Sequence, residues 1–337
     1  MHIQHIRQYN EAAINCLNKR YWFYVCFCFA TYFWLRSTLT EIYNTSTMPS
    51  ANQLVVGTRL DLGNASAPPD EAYYPSANQL VVGTRIHLGN ASAPPDEAHY
   101  REMLEKLADF ASSFDSKHAY VAVDATPKFE NYSLVEVLRT VTADSIFEII
   151  PVTPWNSFVP ALNAIATRAA QDGASHCLFC SAETQTSPES ILQLLEHMDE
   201  DTLVAGAVLP GHDYHPKSTQ TLNGRTTPWN TLAVWNVAKL TLTGFPLVAE
   251  GLHTLSDGTT PVAAGVEEVS TIALLQSVLG PQKAKAKLVP LPDIEWNQDF
   301  KDEERQQWHE AKMKSKVERP ANHLELLQLK EGVVEHC

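Results

Sequence analysis

From Gln79 onward, short apolar runs alternate with stretches whose apolar positions recur at helical spacing. The runs QLVVGTRI (79–86), AYVAVDA (119–125), IFEIIPV (146–152), HCLFC (176–180) and TLVAGAVL (202–209) read as strands. Between them, Met103, Leu104, Leu107 and Phe110 line one face of a helix over Asp96–Ser112, the three-and-four spacing that such a face requires. A short helix with Leu134, Val137 and Leu138 starts at Ser133, and VPALNAIATRAAQDG is a helix stopped by Gly173. Ser187-Pro188-Glu189 opens a further helix, with Ser as cap and Pro in the first turn. VSTIALLQSVLG reads as another, led by Glu267-Glu268, acids that suit a helix N-terminus. This β-α alternation predicts an α/β fold with a mostly parallel, doubly wound (Rossmann-like) central sheet and helices on both faces. The domain spans 75–290. A helical tail over 291–337 carries Trp296, Phe300 and Trp308 on one face. Sheets of this kind bind ligands beyond the carboxyl ends of their strands. That draws attention to Thr84-Arg85, Asp124-Ala125, Thr153–Asn156 and Ser181–Thr184.

The first part of the chain follows a different pattern. Residues 1–48 hold the apolar run Tyr21–Leu35, preceded by Lys19-Arg20 and closed by Arg36. A membrane span needs about 20 apolar residues, so this run is short for one. Read as an uncleaved anchor, it places the N-terminus in the cytosol and the body in the lumen of the endoplasmic reticulum or Golgi, a type II arrangement. Read as a buried aromatic segment, it leaves a cytoplasmic protein. Four N-x-[ST] sequons, at Asn44, Asn64, Asn90 and Asn131, fit a lumenal body. Residues 49–74 recur almost unchanged as 75–100, differing only at Leu60/Ile86, Asp61/His87 and Tyr73/His99. Each copy contains one strand, and one sheet position accepts one of them. The second copy runs directly into the helix, so it is expected in the sheet.

Composition narrows the function. The 337 residues carry a formal charge of −14, which argues against a nucleic-acid partner, since such partners need a basic face. Six cysteines do not make a disulfide framework. Cys177 and Cys180 form a C-x-x-C, but on a strand they point to opposite faces and cannot share a metal. His212, Asp213 and His215 sit together in a loop sequence. No G-x-G-x-x-G follows the first strand and no P-loop occurs.

Five segments in order resemble the GT-A glycosyltransferases, especially the family 2-like group that uses nucleotide-diphosphate sugars. Asp124 sits where that family has an acid after the second strand. Ala161-Leu162-Asn163-Ala164 resembles its A-L-N-x-G helix start. HCLFCSAETQTSPESILQLLEHM resembles its strand, D-x-D and helix unit. TPWNTLAVWNVAKLTLTGFP resembles its acceptor-side segment, and Gly265-Val-Glu-Glu its G-x-E-D. The resemblance covers about 79–280 and implies a non-processive, inverting, hexosyltransferase-type enzyme. It implies nucleotide-sugar contacts at Thr84, Arg85, Asp124, Asn163, Ser181 and Glu183. The acceptor, a carbohydrate, lipid or protein, would meet Trp229, Asn230 and Trp235, and Glu267 or Glu268 would be the catalytic base. The family's D-x-D acids hold a divalent cation, Mn²⁺ or Mg²⁺. Here the motif reads Ser181-Ala182-Glu183, which leaves Glu183 as the one charged ligand. Arg85 or Arg225 could then meet the phosphate charge. The same departure fits a second function, a GT-A-like binding or scaffolding protein that has lost catalysis. A nucleotidyltransferase shares the sheet but has a Gly-rich, Arg- and Lys-bearing loop after the first strand, which Gly83-Thr-Arg-Ile-His does not match.

Overall fold

The computed structural model describes residues 80–337, except 297–313 and positions 90, 92, 95, 114, 115, 117, 144, 183, 252 and 255–257. The apolar run Tyr21–Leu35, the first copy of the repeat, Glu183 and the sequons at Asn44, Asn64 and Asn90 lie outside the described residues. Asn131 is exposed in a turn with φ of 58°. Among the described residues no helix is long and apolar enough to cross a membrane.

The elements run β1 (Leu80–Ile86), α1 (Glu97–Ser113), β2 (Ala119–Asp124), α2 (Leu134–Val141), β3 (Phe147–Val152), α3 (Val159–Gln171), β4 (His176–Cys180), β5 (Thr184–Gln185) and α4 (Pro188–Glu196). Then come β6 (Thr202–Ala207), β7 (Ser218–Thr221), β8 (Leu232–Asn236), the short α5 (Val237–Leu240) and a 3₁₀ turn at Leu247–Glu250. The described chain ends with α6 (Glu267–Leu279), β9 (Lys285–Val289), β10 (Glu295–Trp296), α7 (Glu318–Leu326) and β11 (Val333–His336).

Nine strands form one sheet in the order β3-β2-β1-β4-β8-β6-β9-β11-β7. β3, β2, β1 and β4 are parallel, as are β6, β9 and β11. β8 lies antiparallel between β4 and β6, and β7 antiparallel on β11. The sheet is therefore mostly parallel, as expected, but not purely so. What makes it mixed at the centre is TLAVWN, which enters as β8 with Val234 and Trp235 fully buried. The expected helical tail is revised. Glu295–Trp296 is a strand antiparallel to β5, and after α7 the chain returns to the sheet as β11.

Two apolar layers cover the sheet. α3, α6 and α7 cover one face with Leu162, Ile165, Val269, Ile272 and Leu324. α1, α2 and α4 cover the other with Leu104, Leu107, Leu138, Ile191 and Leu194. Strand alternation divides Cys177 and Cys180 between these layers. Gly83 lets α3 pass close to β1, for a Cβ there would lie 2.5 Å from Ile165 Cγ2. Local caps explain where helices start. Ser133 Oγ accepts from Glu136 N–H, and Ser187 Oγ accepts from Ser190 N–H. α3 has no such cap of its own. Its first N–H groups are met by the buried Glu250 carboxylate, which accepts from Ser157 (2.5 Å), Phe158 (2.9 Å) and Val159.

Candidate functional site

β1 leads towards β2 and β3 on one side and lies beside β4 on the other, so the strand order reverses between β1 and β4. This is where an open α/β sheet makes its crevice. Arg85 stands near the end of β1 on the face covered by α3 and α6, and Ser181 follows β4.

Behind Arg85 lies a buried pair of acids. Gly265 (φ 125°) and Val266 (φ 58°) turn the chain so that α6 begins on Glu267 and Glu268. These two residues are 6% and 5% exposed, where a helix N-terminus on the surface would leave such acids in water. Asn230 fixes both. Its backbone N–H donates to Glu268 Oε1 at 2.6 Å, and its side-chain Nδ2 donates to Glu267 Oε1 at 3.2 Å. Its Oδ1 accepts from Trp235 Nε1 at 2.9 Å, which ties the pair to the core. Arg85 Nη1 is 4.0 Å from Glu267 Oε1. Burial pushes the Glu268 carboxyl well above the usual carboxylate range, and the neighbouring Glu267 charge adds to this. The Asn230 N–H and Lys316 oppose the shift.

Two further residues near the pair, Lys316 and Arg319, carry no sequence motif that marks them. Lys316 Nζ sits 2.9 Å above the centroid of the Trp229 ring, and His212 stacks on the same ring at 3.7 Å. Burial first, and Lys316 next, press the His212 imidazole down to about 3. Arg319 Nη1 donates to Ala264 O at 2.5 Å, beside the start of α6.

The remaining candidates lie as follows. Asp124 is partly exposed at the end of β2, and its Oδ1 accepts from Thr126 N–H at 2.9 Å, a short Asx turn. On either side of β2, His87 after β1 and Trp155 after β3 bring their rings to 5.6 Å, and the buried Trp155 Nε1 has no partner among the described residues. Ser181 N–H donates to Thr231 O at 2.9 Å, and its hydroxyl pairs with Thr184 Oγ1 at 2.8 Å. Thr84 is 2% exposed on the opposite face of the sheet from Arg85, with its hydroxyl unpartnered among the described residues. The Asn163 amide is engaged by Phe245, accepting from its N–H at 2.8 Å and donating to its carbonyl at 3.0 Å. Trp229 and Trp235 are 3% and 0% exposed, so neither ring has a free face for a sugar. Arg225 pairs with Asp213 at 2.9 Å. The structure thus brings together Arg85, Asn230, Glu267 and Glu268, engages Asn163 with Phe245 and places Thr84 on the other face of the sheet.

A hard divalent cation needs several oxygen ligands. Among the described residues, no three His, Cys, Asp or Glu side chains are grouped to hold one. The Ser181 hydroxyl is taken up by Thr184, so the described residues do not fit this cation.

The chain is an α/β protein with a mixed sheet, broadly Rossmann-like in shape. No family model matches it, and no curated protein does. Among solved structures, a mycobacterial protein is similar at a TM-score of 0.38 and 9% identity, covering 70% of this chain and 74% of that one. A 4-diphosphocytidyl-2C-methyl-D-erythritol synthase from Anaerococcus prevotii gives 0.39 and 8%, covering 71% and 97%. A mannose-1-phosphate geranyltransferase from Thermus thermophilus gives 0.31 and 13%, covering 51% and 62%. These likenesses are weak and partial, and they assign this chain no activity.

Proposed function

We propose that the chain is a glycosyltransferase that takes a nucleotide-sugar donor in the crevice beyond β1 and β4. It passes the sugar to an acceptor hydroxyl with inversion and without processivity. The observation that carries this reading is the buried Glu267–Glu268 pair, held by Asn230 and faced by Arg85 at the strand switch point. A carboxylate whose proton affinity is raised by burial is suited to accept a proton near neutral pH. Glu268 or Glu267 would take it from the acceptor hydroxyl as that oxygen bonds to the anomeric carbon and the nucleoside diphosphate leaves. Arg85 would meet the diphosphate charge, and Asp124, partly exposed at the end of β2, would hold the base. No step is assigned to a metal.

Isothermal titration of the full-length protein against a panel of nucleotide sugars, with and without Mn²⁺, tests donor binding. Product analysis of Glu267→Gln and Glu268→Gln tests the base. Loss of transfer with donor binding retained is the expected result for one of them. Absence of nucleotide-sugar binding across the panel would sink the reading.

A second reading, a binding or scaffolding protein without turnover, is favoured by one observation. Glu267, Glu268 and Ser181 already have partners within the protein. It predicts donor binding with no product, and metal-dependent turnover only after Ser181→Asp and Glu183→Asp.

A further inference from the structure

The acid pair is not enclosed by the sheet and α6 alone. The segment entering α7 comes back over it, with Arg319 bonded to Ala264, 55 residues earlier in the chain. The body is shaped to receive this segment at two glycines. A Cβ on Gly224 would lie 1.8 Å from the Lys316 carbonyl oxygen, and one on Gly265 would lie 2.0 Å from Arg319 Nη1. Gly265 is also a residue that turns the chain into Glu267-Glu268, so Arg319 lies against the turn that leads into the pair. Lys316, 9% exposed, has its ammonium fixed on the Trp229 ring, and Trp229 precedes Asn230, which holds both acids. Both cations bear on the pair. Lys316 lowers the proton affinity of Glu268, and burial lowers that of Arg319, with Glu267 and Glu268 opposing the shift.

We propose that Lys316 and Arg319 are positioning residues of the candidate site, cations that the C-terminal segment brings against Trp229 and the start of α6 to balance the negative charge of the buried acids there. The physical need is plain. Two adjacent buried carboxylates cannot both ionise without nearby positive charge, and a carboxyl that keeps its proton cannot accept another. Among the described residues, the cations near the pair are Arg85 from β1 and Lys316 and Arg319 from the C-terminal segment. His212, reached through Trp229, is neutral above about pH 3 and adds no charge. The inference rests on the transferase reading only in taking the pair as proton acceptor.

Carbon-13 NMR of full-length protein labelled at the glutamate carboxyl carbons tests it. One carboxyl of the wild type should titrate above the usual range, and its signal should vanish in Glu268→Gln. In Lys316→Met and Arg319→Gln its midpoint should rise by about one pH unit, the effect of removing an opposite charge close by. Lys316→Arg should return it to the wild-type value. A wild type without the raised carboxyl, or a midpoint unmoved in both charge-removing variants, overturns the inference and leaves the segment a packing element. Each charge-removing variant decides alone if the other does not fold. Titration of nucleotide sugars into the same samples separates the two ideas. Shifted midpoints without donor binding sink the transferase reading only, and donor binding without shifts sinks this one only.

Discussion

Asn230 does the most at the scale of single residues. One side chain and one backbone N–H reach both acids and the Trp235 indole. Asn230→Leu keeps the bulk and removes the amide. Trp235 Nε1 and Glu267 Oε1 would each lose a buried partner, and each loss costs about 1–3 kcal/mol. Urea unfolding should show a loss in that range or up to twice it. Glu268 permits a prediction with a defined sign. Its folded proton affinity is raised, so the folded chain keeps a proton that the unfolded chain has released. The stability it contributes is fully present below the ordinary glutamate range and is lost as pH rises through the raised value. Glu268→Gln mimics the protonated form and can still accept from Asn230 N–H. It should therefore melt above the wild type at pH 8, by roughly 1–3 kcal/mol, with the gap closing below pH ~4. Equal melting at both pH values would remove the case for a raised carboxyl. Arg85 could be read from the sequence as a candidate because it falls at a strand end, and Glu267-Glu268 and Asn230 because their segments resemble glycosyltransferase motifs. Lys316 and Arg319 could not, because nothing local in the chain ties them to residues 224 and 265.

Among the elements, those with a clear period were legible. β1 and β4 fall where alternation and apolar runs put them, and the starts of α2 and α4 follow their serine caps. β8 was not, because LAVWN lies inside the segment that resembles an acceptor-side motif and takes its place in the sheet from its neighbours β4 and β6. β11 has four residues, too few for a periodic signal, and gains its place from β9 and β7. α3 shows the same dependence on distant residues, since its N-terminus is closed by Glu250. Glu250→Ala would leave three N–H groups without that acceptor, in a site that is 4% exposed. The expected loss is roughly 2–4 kcal/mol, read by thermal or urea unfolding, with Glu250→Gln intermediate because its amide retains one accepting oxygen. A loss as small as that of an exposed acid would mean that α3 does not rely on this cap.

At the scale of the whole chain, the repeat poses a question that the sheet can answer. β1 takes residues 80–86 of the second copy, between β2 and β4. The first copy offers LVVGTRL over 54–60 against LVVGTRI in β1, so the strand position differs by one isomeric side chain. Swapping Ile for Leu in a core costs less than about 1.5 kcal/mol. Gly83, needed for α3 to pass, is matched by Gly57, and Arg85, which faces Glu267, by Arg59. Deleting residues 75–100 would join Tyr74 to Arg101, and Tyr74 matches the buried Tyr100 of α1. The deleted chain can therefore build the same first strand and helix from the first copy. We expect it to unfold cooperatively, with a midpoint within a few degrees of the chain lacking 49–74. It loses the His87–Trp155 ring pair, since Asp61 stands in place of His87, and replaces His99 beside Tyr100 by Tyr73. Trp155 fluorescence should differ between the two deletions while their circular dichroism agrees. If only the chain lacking 49–74 folds, the copies are not equivalent, and the difference lies in the three substituted positions or in the sequence preceding each copy.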